Sequence, residues 1–318
     1  MPIFRPRNRQ TGAATSSDNP QPKIAMTVDD PIASQKALEN GELVPAALRR
    51  LNSLSEEKSF TSDLTVKEFA LLRSSGLHPI CQVAGTAVFR IGYQQMPYGG
   101  SQPLNMITEA FNESRRLAVQ RLEKEAAIAH ADAVVGTRIT QGMFNSESGL
   151  IEFSLVGTAV KSLDGSIKSA KGKAGKATIL TTLSGQDLYL LLENGVYPVG
   201  LVGASSCYLA SLSPYTFQQM YSMMGASTVN FEIREFTEGY YASRRIVMRE
   251  VERSAKSMGA GGIIDFTFRS ATNSYQLPGT NSENVGAVAF ITHVLATAVT
   301  EPSQTARTKP QKLLFINP

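Results

Sequence analysis

One unit occurs twice in this chain, and it restricts the possible folds more than any other feature: a helix that runs straight into a strand. Its first occurrence is residues 113–139 and its second residues 242–268. A shift of 129 places Arg115-Arg116 on Arg244-Arg245, Leu117 on Ile246 and Ala118 on Val247. The same shift places Leu122 on Val251, Ala126 on Ala255 and Ala129 on Met258. Positions 118, 122, 126 and 129 have the 4-4-3 spacing of one apolar helix face, and 247, 251, 255 and 258 keep that spacing. Residues 131–135 (ADAVV) and 260–264 (AGGII) then end the helix in a small-residue turn and begin a short β-branched run.

The flanks repeat as well. Thr65-Val66-Lys67-Glu68 has the form of a capping box, predicting a short helix over 66–75 that stops at Gly76. Ser184 opens the corresponding stretch, which continues over 187–194 and closes at Gly195, now at a shift of 119. Leu77-His78-Pro79-Ile80 and Val196-Tyr197-Pro198-Val199 each lead into a strand, over 81–90 and 201–212. The connection to the long helix is ten residues longer in the second copy. There Phe231, Ile233 and Phe236 are interspersed with Glu232, Arg234 and Glu235, which reads as an added or edge strand. Residues 149–160 and 285–299 close the two copies, ending in GTAV and ATAV. Each copy therefore reads as short helix, strand, long helix, strand, strand. Two prolines at plausible first helical positions predict further short helices over 31–39 and 45–54, docked on a domain or on a neighbouring chain.

These signals divide the 318 residues into a polar tail with short helices (1–59), a first domain (60–160), a Lys/Gly-rich linker (161–180), a second domain (181–300) and a C-terminal tail (301–318). The chain's net charge of +4 equals that of the linker alone, where five lysines face one aspartate. The remaining regions are together close to neutral, which argues against a broad nucleic-acid-binding face. No apolar stretch reaches the roughly 20 residues that span a bilayer, and no signal-peptide pattern opens the chain. Cys81 and Cys207 do not make a disulfide framework. A cytoplasmic, non-membrane protein is expected.

A helix rich in Arg, Glu and Ala that runs into ADAVVGTR at 131–138, followed by a strand ending GTAV at 157–160, resembles the YbjQ-type family, which is labelled heavy-metal-binding. The second copy departs from the motif, with Gly261-Gly262 for Asp132-Ala133, Asp265 for Gly136 and Thr267 for Arg138. The resemblance implies an α+β fold: two tandem dodecin-like β-α-β-β domains, each a small antiparallel sheet under one long helix. It also implies ring assembly, with pentamers typical of single-domain members. No ligand set carries over from it.

Candidate site residues are few. His78 and Cys81 put two soft ligands three apart at a strand start, but Tyr197 and Gly200 stand there in the second copy, so a duplicated metal site is excluded. His130 ends the first long helix, and His293 is the third histidine. Asp132 and Arg138 flank the strand after that helix; an aspartate there reads first as a turn residue. Arg115-Arg116 and Arg244-Arg245 suit a phosphate or carboxylate at a subunit junction, or else a solvated helix face paired with Glu113 or Glu123. No P-loop, Gly-x-Ser-x-Gly or Gly-x-Gly-x-x-Gly occurs. The sequence thus predicts a non-enzymatic, ring-forming binding or scaffold protein with no assigned catalytic or metal residue and no cofactor. Its ligand, small molecule or metal, is unknown; the alternative is a metal-binding protein using the first domain.

Self-association follows from size. A three-stranded sheet under one helix hides little and leaves edges open, while Tyr93, Met96 and Tyr98 and the 215–224 cluster add apolar surface. A homopentamer with two stacked rings is expected. A ring in which first and second domains alternate is the competing arrangement.

Overall fold

The computed structural model describes residues 30–56, 60–91, 100–145, 149–163, 178–222, 230–276 and 285–300, together with Ile167. In chain order the elements begin with α1 (Pro31–Glu39), α2 (Pro45–Glu56), α3 (Val66–Ser74), β1 (Leu77–Arg90) and β2 (Gln102–Pro103). They continue with α4 (Asn105–Ile128), β3 (Ala133–Asn145), β4 (Leu150–Ser162), β5 (Ile179–Leu180) and α5 (Gly185–Glu193). The last are β6 (Pro198–Ser211), α6 (Pro214–Ser222), α7 (Arg234–Ser257), β7 (Gly262–Gln276) and β8 (Val285–Val299). The class is α+β, with two four-stranded sheets ordered β1-β4-β3-β5 and β2-β6-β8-β7.

The long antiparallel ladders of the two sheets share one register. Pro79 faces Val160 and Cys81 faces Ala159 across a bulge; Pro198 faces Val299 and Gly200 faces Ala298 across another. Val135 faces Thr158 and Arg138 faces Val156 over a second bulge, matched by Ile264 with Thr297 and Thr267 with Leu295. That second bulge turns through positive φ in both places, at Gly136 (63°) and Asp265 (54°). Aspartate is among the few side chains that tolerate this conformation. These pairs obey the offsets of the sequence repeat.

Each sheet gains its fourth strand from the other half of the chain. β5, which leads into α5, lies parallel to β3, with Ala133 beside Ile179 and Val134 beside Leu180. β2, which leads into α4, lies antiparallel to β6, with Gln102 beside Leu209 and Pro103 beside Tyr208.

The core follows the alternation of the strands. On one face of the second sheet Val202, Ala204, Val294 and Ala296 meet Val247, Val251 and Ala255 of α7. The opposite face, with Leu201, Cys207, Leu209, Ile291 and Leu295, joins Phe111, Leu122, Ile139, Phe153 and Leu155 in one cluster shared with the first half. β6 is therefore buried on both faces, whereas β7 is exposed along most of its described length.

Several expectations need correction. Residues 230–233 form no strand: Arg234 opens α7, and Phe236 sits in its first turn against Phe290, ring centroids 6.4 Å apart. Over six residues a period-two pattern and a helix start are not separable. Both long helices begin eight residues before the repeated motif, at Asn105 and Arg234. β4 runs through Lys161 to Ser162, and Ile167 is buried with Leu72, Leu77 and Val160, so the linker is not wholly a solvated tether. Residues 164–166 and 168–177 lie outside the described residues, as do Tyr93, Met96 and Tyr98, residues 223–224 of the 215–224 cluster, residues 1–29 and 57–59, and the C-terminal tail. α1 and α2 dock on their own chain: Leu43 and Leu51 are buried beside α4, and Arg50 donates to the Gln82 carbonyl (3.0 Å) and to Glu125 (2.5 Å).

Candidate functional site at the junction of the two halves

The most built feature of the molecule is the joint between its halves. An edge strand presents unpaired backbone groups, and α4 answers those of β6 one by one. The Leu104 N–H donates to the Cys207 carbonyl (2.8 Å), and the Cys207 N–H donates to Thr108 Oγ1 (2.9 Å). One turn on, Asn112 Nδ2 donates to the Ser205 carbonyl while its Oδ1 accepts from the Ser205 N–H, both at 3.0 Å. Positions 104, 108 and 112 are spaced at four, so one helix face carries all three. At the other edge the bulge at Gly136 turns amides outward: Gly136 N–H donates to the Leu183 carbonyl (2.8 Å) and Thr137 N–H to the Thr181 carbonyl (2.9 Å).

Beyond Asn112 the two halves diverge and leave a cavity of about 650 Å³, lined by Arg115, Arg116, Val119, Leu201, Gly203 and Met258, with Glu109, Glu113 and Glu123 on its walls. Arg115 donates to Asn112 Oδ1 (3.2 Å), while its Nε has no hydrogen-bond partner. Burial pulls the Arg115 guanidinium down to about 10, with Glu250 opposing the shift. Arg116 is held by Glu113 through two bonds of 2.7 and 2.5 Å. The corresponding pair diverges: Arg244 lies over the Phe268 ring at 5.4 Å, and Arg245 is exposed. The expected equivalence of the two arginine pairs is sequence-deep only.

The other candidates are structural. Asp132 is buried; its carboxylate accepts from the Ser162 N–H (2.9 Å) and its carbonyl from the Ile179 N–H (3.1 Å), fastening helix exit, β4 and β5 together. Arg138 pairs with Asp63. His130 is exposed at positive φ (53°), the left-handed residue that ends α4. His293 is buried, its Nδ1 2.8 Å from Ser205 Oγ and its ring edge-on to Phe111 at 4.6 Å. Cys81 is buried in the shared apolar cluster, and desolvation raises its pKa, which works against the thiolate a metal requires. Among the described residues no three His, Cys, Asp or Glu side chains converge on a metal position. His78 lies half-buried on β1, three residues before Cys81. Among the described residues no helix is long and apolar enough to cross a membrane.

Sequence reasoning missed Asn112, Thr108 and Glu125. Glu125 is buried, taking the Ala84 N–H (2.8 Å) and Arg50. Its one sequence signal was position: a glutamate adjoining the apolar stripe, next to Ala126.

Residues 98–162 match the YbjQ-type family described as "Putative heavy-metal-binding", so the chain carries one domain of this class, spanning β2, α4, β3 and β4. The Encapsulin nanocompartment protein Rv1762c of Mycobacterium tuberculosis is 33% identical over 233 residues, covering 73% of this chain and 85% of that protein. The chain belongs to the same family as that mycobacterial protein. No solved structure matches it.

Proposed function

We propose that this chain is a self-assembling, non-enzymatic scaffold or binding protein of the cytoplasm, built from two tandem YbjQ-type, dodecin-like domains over 60–160 and 181–300. The observation that carries the reading is the joint itself. One half closes the sheet edge of the other with a strand, a helix face and an outward-turned bulge, a head-to-tail contact of the kind that propagates between like units. The matched registers of the two sheets support the tandem reading. The relative's name, a nanocompartment protein, supports assembly. A closed homo-oligomer results; the pentamers typical of single-domain members give five chains where each domain type forms its own ring, and another count where the two domain types alternate.

Light scattering on the eluting protein at micromolar concentration tests this. A single species at an integer multiple of 34.3 kDa, two or more, is expected, five for stacked rings of one domain type. Elution as a 34.3-kDa monomer would refute assembly. Elemental analysis of the same fraction should find no stoichiometric transition metal; about one per chain would favour the metal-binding alternative.

A further inference from the structure

We infer that a second copy of this chain docks on the β1 edge of the first half and the β7 edge of the second, reproducing between chains the joint already formed within one. The inference rests on the tandem-domain reading. Within the chain the first half offers α4, β2 and the β3 bulge, and the second offers the β6 edge and β5. Not covered by the other half are the matching surfaces of opposite kind: the β1 edge with its lead-in residues 60–64, and α7 with residues 231–233 and the β7 bulge.

The burial of corresponding positions carries the argument. Phe111 of α4 is 0% exposed in the joint, whereas Tyr240, its counterpart on α7, is 38% exposed. Ala133, Val134 and Val135 on β3 are fully buried, whereas Gly262, Ile263 and Ile264 on β7 are only half-buried and Phe266 is exposed. Ile179 beside β3 is 0% exposed, and its counterpart Phe60 is 56% exposed. Cys207 on β6 is buried under Thr108, whereas Val88 on β1 is 58% exposed. Every one of these differences has one sign: what the internal joint covers is open at the corresponding place.

The lead-in segment is already posed for the contact. Asp63 N–H donates to Thr158 Oγ1 as Thr182 N–H donates to Thr297 Oγ1, the same bond at corresponding positions. The repeat therefore pairs Phe231 with Arg90 and Glu232 with Phe89 of the next chain, and sets Phe60 beside Gly262. The β1 edge differs in that its own chain already takes part of it: Arg121 donates to the Thr86 carbonyl, at the place where Ser205 meets Asn112, and Glu125 accepts the Ala84 N–H (2.8 Å). Arg50 of α2 occupies the β1 edge at Gln82, whose counterpart Leu201 borders the cavity, so α2 fills between chains the space left empty within one. Tyr241 also replaces Asn112 and brings ring area where the amide gave two hydrogen bonds. Repetition of this contact gives a ring in which first and second domains alternate, so the domain count is even and stacked rings of one domain type do not form.

Full-length chains carrying Arg90→Cys and chains carrying Phe231→Cys, co-expressed, test the pairing; directly opposed strand residues lie within disulfide range. Phe60→Cys with Gly262→Cys tests the other strip independently. Oxidation should yield a covalent dimer from each mixture and none from either variant alone or from wild type, whose two cysteines are buried. An intact oligomer with no crosslink at either strip overturns this inference and leaves self-assembly standing. A wild-type monomer overturns both, including the case in which the chain's own tail or another protein covers these edges.

Discussion

Asn112 holds Ser205 by both of its backbone groups, a side-chain amide standing in for the next strand of the sheet. This places a helix where β6 would otherwise expose an open edge, and it ties the two halves of the chain into one body.

Replacing Asn112 with Ala should therefore weaken the whole molecule and not one helix. It strands the N–H and carbonyl of Ser205, which the shared core shields from water. A loss of about 1–3 kcal/mol is expected in urea unfolding. Stability within experimental error of wild type would show that water replaces the amide, and that the joint does not rest on this residue.

At Gly85 the backbone of α4 lies directly against the first sheet. A Cβ there would lie 1.9 Å from the Ala118 carbonyl oxygen and 2.8 Å from the Leu122 nitrogen, both backbone atoms that cannot rotate away. Gly85→Ala should destabilise by about 2–3 kcal/mol through displacement of the helix. At the corresponding place in the second half stands Ala204, facing α7. Ala204→Gly should lose no more than about 1 kcal/mol, chiefly through backbone entropy. Equal losses in thermal melts would contradict this difference in helix–sheet spacing.

Glu235, in the first turn of α7, is pulled down to about 2 from an ordinary 4.5, first by the Thr216 hydroxyl and then by Ser213. A folded value below the unfolded one means that the contribution is full above about pH 4.5 and vanishes as pH falls towards 2. α6 should thus loosen from α7 in that window before the core yields. Amide protection in residues 213–222, taken relative to the intrinsic exchange rate at each pH, should fall between pH 4.5 and 2 in wild type, and that fall should be missing in Glu235→Gln, whose protection is already low. A variant with the wild-type profile would assign the transition to another group.

Cys81 and Cys207 are buried and free, and burial pushes the Cys207 thiol up to about 12. Neither should react with a thiol reagent at neutral pH until the chain unfolds. Rapid labelling of one equivalent in native protein would reveal an opening motion at the β1 or β6 edge.

Local elements were legible because their signals are local. The Thr65–Glu68 capping box, the proline that starts α1 and the stripe at Ala118, Leu122 and Ala126 all appear as read. Even the bulge registers follow the offsets of the repeat, since a duplicated sequence duplicates its backbone constraints. The exchange of β2 and β5 was not legible. Gln102-Pro103 and Ile179-Leu180 are too short to carry a period, and their partners lie 105–107 residues away for the first and 46 residues back across the linker for the second. Asn112 and Thr108 carry no signal in the sequence because the edge they serve belongs to another part of the chain. Arg115 and Arg244 match in sequence, but the joint formed on one side only sends them to different surroundings.

Electron cryomicroscopy of the native, full-length oligomer tests the central claim most directly. The account predicts a closed ring in which β1 of each chain lies against residues 231–233 and α7 of the next, with first and second domains alternating around it. Single chains, or two stacked rings each made of one kind of domain, would contradict it.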